Sequence, residues 1–250
     1  MELEMKGKVA VVTGGAGSIG GEICRILAAE GVRVAISDVA GAERGPVLVG
    51  EIEKAGGEAV FVETDVADAG SVKETVARVR ERFGTVHFLV TCAGVASANF
   101  VWEMSEQEWD RVLDINLKGI FLTCREVVPV MIEQRFGRIV NIASLVARQG
   151  SYRHAHYCAS KAGVIGLTQS LAKEAGEYGI CANCISPGRI KSTMEADRQK
   201  KEQKEWISQT PLARMGVPDD IAAAVVYLCS KGGSFVTGET LNVNGGIWIG

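Results

Sequence analysis

The sequence predicts an α/β protein: a single domain on a doubly wound parallel sheet of about seven strands, with helices on both faces. Three observations carry this reading. Short runs rich in Val, Ile and Ala alternate with longer segments of helical period. Most of these runs are apolar throughout, as strands covered on both faces must be. A glycine-rich turn joins the first run to the first helical segment, and no linker or repeat interrupts the alternation after it.

The elements read in order along the chain. A strand over Val9–Thr13 leads through the glycine turn into a helix ending at Glu30, and a strand over Val32–Ile36 closes at Asp38. Next come a helix through Lys54, a strand over Ala59–Val62, a helix over Ser71–Arg82 and a strand over Val86–Cys92. One long helical region is expected over Ser105–Gln134, then a strand over Arg138–Ile142, a helix over Tyr157–Tyr178 and a strand over Ile180–Ile185. The helix Pro218–Ser230 and a last strand near Leu241 complete the pattern. Arg189–Thr210, crowded with charge, reads either as a solvated helix or as a lid beside a site.

Composition narrows the function classes. The chain of 250 residues is 47% hydrophobic and 23% charged, and its net charge of -3 argues against nucleic acid or an anionic membrane as main partner. No stretch reaches the ~20 apolar residues of a membrane span. Met1–Lys8 lacks the apolar core of a signal peptide, so the cytoplasm is the expected compartment. Seven scattered cysteines read as reduced, buried thiols. Cys181 and Cys184 have C-x-x-C spacing, but no second Cys or His pair accompanies them, and a strand points them to opposite faces. No metal is expected.

The turn Thr13-Gly-Gly-Ala-Gly-Ser-Ile-Gly20 has the composition of a phosphate cradle. Small residues let the backbone approach a pyrophosphate, and the helix N-terminus offers N–H donors and a positive dipole end. Asp38 stands 18 residues beyond Gly20 at the end of the second strand. A carboxylate there accepts hydrogen bonds from an adenosine ribose and repels a 2′-phosphate. No Lys or Arg lies in the turn to neutralise such a phosphate; Arg33 sits inside a strand, and Arg44 is the nearest basic alternative. NAD(H) is therefore the expected cofactor.

Taken together, the motifs resemble those of the short-chain dehydrogenase/reductase family along nearly the whole chain. The turn resembles that family's Thr-Gly-x-x-x-Gly-x-Gly motif, with Ser18 at the middle glycine position and Gly17 beside it. Asp65-Val66 is similar to the pair that meets the adenine. Thr91-Cys-Ala-Gly94 resembles the family's Asn-Asn-Ala-Gly with both asparagines replaced. Asn116, Ser144, Tyr157 and Lys161 match its catalytic quartet, with the expected 13 residues between Ser144 and Tyr157. Ser186-Pro-Gly-Arg-Ile190 resembles the segment beside the nicotinamide, and Ser192 stands where the family commonly has Thr.

The resemblance implies a Rossmann fold, a homotetramer with helices around Asn116 and Tyr157 at its interfaces, and a set of contacts. Gly14, Gly17, Ser18, Ile19, Gly20, Asp38, Asp65, Val66, Ala93, Gly94, Tyr157, Lys161, Pro187, Gly188, Ile190 and Ser192 would hold the cofactor. Tyr157 would pass the substrate proton, Ser144 would bind the substrate oxygen, and Asn116 would anchor a water relaying protons from Lys161. The chemistry agrees with the spacing. Tyr157 and Lys161 lie four apart on one helix face, and an ammonium there favours the phenolate.

Substrate identity is less determined. A secondary alcohol or ketone of the polyol, sugar or hydroxy-acid type is the leading expectation. A 3-oxoacyl thioester reductase is the alternative, which would usually use NADPH. A non-catalytic dinucleotide sensor is the reading from another class, and the filled quartet argues against it. His154, His156, Arg148 and Arg153, with Arg189, form a basic cluster in sequence that would suit an acidic substrate if it faced the pocket.

Overall fold

The computed structural model describes residues 3–192 and 196–249. Residues 1, 2, 193–195 and 250 lie outside it, and with them parts of the N-terminal segment, the expected lid and the C-terminal tail. Seven parallel strands form one sheet: β1 (Val9–Thr13), β2 (Arg33–Asp38), β3 (Ala59–Glu63), β4 (Phe88–Thr91), β5 (Gly137–Ile142), β6 (Ile180–Pro187) and β7 (Thr240–Val243). Their spatial order is β3-β2-β1-β4-β5-β6-β7. The chain thus winds outward from β1 in one direction, then returns to β4 and winds the other way. The reversal leaves a crevice between β1 and β4 at the carboxyl edge of the sheet.

The helices are α1 (Ser18–Ala29), α2 (Arg44–Lys54), α3 (Ala69–Phe83), α4 (Glu106–Leu113), α5 (Gly119–Glu133), α6 (Val146–Gln149), α7 (Ala155–Ala175), α8 (Ala196–Ser208) and α9 (Pro218–Cys229). Two separate cores flank the sheet. In β1, Ala10 and Val12 pack with α1, α2 and α9, whereas Val9 and Val11 pack with α3, α5 and α7. Successive side chains of a strand point to opposite faces, so a strand apolar at every position feeds both layers. All five residues of β1 are buried.

Caps explain some helix starts. Asp68 accepts from Ser71 N ahead of α3, and Ser105 accepts from Glu108 N ahead of α4, each satisfying an orphan donor of the first turn. Gly17 precedes α1 without any side-chain cap, and the first turn of α1 carries no acid. The N-terminal turn of α1, with the positive end of its dipole, thus follows the glycine turn at the carboxyl end of β1.

Three departures from the sequence reading concern the elements around the cleft. The expected helix over 105–134 is broken by a π-helical turn, Asp114–Lys118, between α4 and α5. β4 is shorter than the expected Val86–Cys92. α7 starts at Ala155, two residues early, and gives way at Gly176–Tyr178 to a 3₁₀ turn. The 189–210 stretch contains α8, with Thr193–Glu195 outside the described residues. All seven cysteines are free thiols. Cys184 lies against Thr168 and Val164 while Cys181 faces Ser234, the opposite orientation that strand geometry demands.

Candidate active site

A cleft of about 680 Å³ opens at the β1/β4 crevice. Two close approaches shape it. Gly14 has φ +64, and a Cβ there would lie 2.6 Å from Ala93 N, so the turn after β1 meets the chain after β4 backbone to backbone. A Cβ at Gly20 would lie 2.2 Å from Gly14 O, so only glycine lets α1 begin this close to the turn. Asp38, at the end of β2, braces the same turn: its Oδ2 accepts from Ala16 N at 2.9 Å and its Oδ1 from Val39 N at 2.9 Å.

Seventeen of the residues expected at a site line this cleft: Gly14, Gly17, Ser18, Ile19, Gly20, Asp38, Asp65, Val66, Ala93, Gly94, Ser144, Tyr157, Lys161, Pro187, Gly188, Ile190 and Ser192. Asn116 does not. It is completely buried in the π-helical turn, where Oδ1 accepts from Val95 N at 2.8 Å and Nδ2 donates to Val95 O at 2.9 Å. Its side chain is therefore committed to the loop after β4. Ser160 Oγ lies 3.4 Å from the same Nδ2.

Lys161 is 4% exposed and donates from Nζ to Ile142 O at 2.8 Å. Burial pushes its ammonium down to about 8, against the partial opposition of Cys92 and Cys184 nearby. Nζ stands 5.7 Å from the centroid of the Tyr157 ring, as expected for positions one turn apart on α7. Gly94 passes close by: a Cβ there would lie 3.7 Å from Lys161 Nζ and 3.3 Å from Asn116 Oδ1.

Behind Lys161 a buried polar chain fixes α7 to the sheet. Thr91 Oγ1 donates to Asn141 Oδ1 at 2.7 Å, Asn141 Nδ2 donates to Thr168 Oγ1 at 2.9 Å, and Thr168 Oγ1 donates to Val164 O at 2.7 Å. Thr91, which replaces an asparagine of the resembled motif, is thus spent inside the protein. Cys92, which replaces the other, lines the cleft.

The basic cluster of the sequence disperses. His154 and Arg189 line the cleft. Arg153 instead stacks on Phe100 and reaches Ala98 O, Arg148 lies over Trp248, and His156 is buried against Ser97 and Glu108. Arg189 lies over the Trp206 ring at 4.5 Å, which brings the end of α8 to the cleft wall. Sequence reasoning did not single out Trp206, Ile115, Ala96 or Arg111 for this wall. Ile115 neighbours Asn116 in the π-helical turn, and the others come from a loop and helices that carry no motif. Among the described residues no cluster of His, Cys, Asp and Glu could hold a metal ion, and no helix is long and apolar enough to cross a membrane.

A parallel sheet with a glycine-turned cleft at its switch point defines a dinucleotide-binding α/β protein. The comparisons with known proteins narrow the class. The family model described as enoyl-(acyl carrier protein) reductase matches residues 14–248. The 3-oxoacyl-[acyl-carrier-protein] reductase FabG of Staphylococcus aureus is 40% identical over 242 residues, covering 97% of this chain and 98% of that one. The protein of the same name from Thermotoga maritima is 36% identical over 247 residues, covering 99% and 100%. A solved structure of a short-chain dehydrogenase/reductase, glucose/ribitol dehydrogenase, from Brucella melitensis superposes with a TM-score of 0.93 at 35% identity, covering all of both chains.

The chain belongs to the short-chain dehydrogenase/reductase family. It is accordingly an oxidoreductase for a CH–OH or keto group, with a site for a nicotinamide dinucleotide. The names of its relatives lean toward the substrate class that the sequence placed second, the 3-oxoacyl thioester.

The buried ammonium has a consequence for stability. The charged form of Lys161 is disfavoured in the folded protein, so folding is penalised below about 8 and relieved as pH rises toward the unfolded value of 10.5. The penalty at neutral pH is on the order of 3 kcal/mol. Lys161→Met is therefore expected to unfold at or above the wild-type temperature at pH 7 in calorimetry, with the difference narrowing toward pH 10. A variant markedly less stable than wild type at pH 7 would contradict this.

Proposed function

We propose that the chain is an NAD(H)-dependent oxidoreductase interconverting a ketone and a secondary alcohol, with a 3-oxoacyl thioester as its substrate class. One observation carries the chemistry: Ser144, Tyr157 and Lys161 share a single cleft with the glycine turn and Asp38. The relatives' names support the substrate class.

The nicotinamide, when bound, would supply or take up the hydride; the protein's residues handle the proton and the charge. In reduction Tyr157 gives its phenolic proton to the carbonyl oxygen as that oxygen becomes an alkoxide, and in oxidation it takes the proton back. Ser144 donates a hydrogen bond to the same oxygen, stabilising charge as it develops. The Lys161 ammonium, held by Ile142 O beside the phenol, favours the phenolate state that turnover requires. Asn116, whose side chain is taken up by Val95, holds the loop after β4, and a water relay from Lys161 would run past its main chain.

The cofactor reading rests on Asp38. Its carboxylate lines the cleft beside the glycine turn, where the ribose of a dinucleotide would lie. The Arg and Lys residues lining the cleft are Arg111, Lys161 and Arg189, none of them in the turn; Arg44, which opens α2, does not line it. Asp65 and Val66 would border the adenine, and Pro187, Gly188, Ile190 and Ser192 the nicotinamide. A second substrate reading, a polyol, sugar or hydroxy acid, is favoured by the same Asp38, because an NAD-linked enzyme suits oxidation of an alcohol. We further propose a homotetramer, and the cytoplasm as the compartment that suits seven free thiols.

Tyr157→Phe is expected to abolish turnover of acetoacetyl-coenzyme A with NADH while leaving the NADH Kd from fluorescence nearly unchanged. A variant that retains turnover would remove Tyr157 from the mechanism. If wild type ignores the thioester but oxidises a polyol, sugar or hydroxy acid with NAD, the second substrate reading replaces the first. Wild type should prefer NADH over NADPH by at least about tenfold in kcat/KM, about 1.4 kcal/mol, and Asp38→Ala should narrow that ratio. A strong NADPH preference would overturn the cofactor assignment. Light scattering on the purified chain should give four times the monomer mass, and a monomer would exclude the tetramer.

A further inference from the structure

Ser97 sits in the loop that leaves β4, two residues beyond Val95. Its Oγ is 2.6 Å from Glu108 Oε1 at the start of α4 and 2.8 Å from His156 Nε2 in the first turn of α7. Glu108 Oε2 also accepts from Asn99 Nδ2 at 3.2 Å. Three segments therefore meet at one hydroxyl.

The proton positions are set by counting donors and acceptors. Hydrogen bonds from Ser97 and then Asn99 hold the Glu108 carboxyl below its usual range, so it is ionised and can only accept. Ser97 has one hydroxyl hydrogen, and the short contact to Glu108 uses it. Ser97 must then accept from His156, which fixes the proton on Nε2. His156 Nδ1 is buried with no hydrogen-bond partner among the described residues. His156 is completely buried and adjoins Tyr157.

We infer that the Glu108–Ser97–His156 chain is a positioning latch for the substrate side of the cleft. The loop is held at two nearby points: Val95 by both polar atoms of Asn116, and Ser97 by Glu108 and His156. Asn99 N adds a bond to Arg153 O at 2.8 Å, again joining the loop to the segment before α7. Val95, the first anchor, and Ala96, between it and Ser97, line the cleft past Gly94. The latch therefore sets where the loop wall stands relative to Tyr157. The cofactor end, built by Gly14–Gly20 and Asp38, lies apart from it. Ser97 is a positioning residue and touches no reacting atom.

Ser97→Ala breaks both bonds and leaves the buried His156 N–H facing Glu108 Oε1 at 3.6 Å in place of its close Ser97 acceptor, whereas Ser97→Thr keeps the hydroxyl. Hydrogen exchange on the free protein tests the latch without any substrate. In Ser97→Ala, amides of residues 95–104 should exchange faster while those of β4 and the rest of α7 keep wild-type protection. Ser97→Thr should restore the slow pattern. Exchange at wild-type rates in Ser97→Ala, or a loss of protection throughout the protein, overturns the latch.

The functional arm rests on the proposed substrate class. With acetoacetyl-coenzyme A and NADH, Ser97→Ala should raise the substrate KM by at least about fivefold with kcat changed less than about twofold. The NADH Kd should stay at the wild-type value, and Ser97→Thr should recover the KM. Parallel losses in substrate KM and NADH Kd would refute a role confined to the substrate side. A wild-type enzyme inactive on acetoacetyl-coenzyme A overturns the substrate reading instead, and the exchange experiment still decides the latch.

Discussion

The cleft depends on one steric constraint, the contact between the turn after β1 and the chain after β4. The two backbones approach so closely at Gly14 and Ala93 that no side chain fits between them. β1 and β4 pair in register up to Thr13 and Thr91, and this contact carries their close approach on into the turn that forms the cleft. Gly20 extends the constraint to α1, whose uncapped first turn is brought to the floor of the cleft. Asp38 then ties the turn to β2 through two backbone N–H groups. Position, helix dipole and carboxylate are thus delivered together by three neighbouring strands.

The chemical half of the cleft is held differently, through polar groups inside the core. The chain Thr91–Asn141–Thr168 crosses from β4 through β5 to α7, and each member finds a partner. Such a network costs little when every group is satisfied and specifies one arrangement of the helix that carries Tyr157 and Lys161. Lys161 itself is the expensive element. Its ammonium is buried, with a backbone carbonyl as the partner of its Nζ, and its proton is held less tightly as a result.

The parallel, doubly wound sheet was legible because most strands are apolar runs and every crossover carries a helix. The glycine turn, Asp38 and the Tyr157–Lys161 spacing were legible because local backbone geometry alone puts them where they act. The π-helical turn was not, since Asp114–Lys118 continues the helical period of its neighbours and nothing in its composition marks the extra residue. Asn116 could therefore be picked out by motif, but its burial away from the cleft could not. The same limit applies to Arg148, Arg153 and His156. They lie within nine residues of one another in sequence, and loop geometry sends them to three different places. Thr91 was read as a departure from a binding motif, and only the partner on β5 explains it.

The two cores have a consequence for how this protein can diverge. The helix that begins at the glycine turn belongs to one layer, packed with α9, and the helix of Tyr157 belongs to the other, packed against α5. The sheet insulates the two. Repacking in the α1/α9 layer reshapes the dinucleotide end without disturbing the groups that handle the proton, and the reverse holds for α7. The start of α1 and the helix of Tyr157 are thus supported by separate sets of packed side chains.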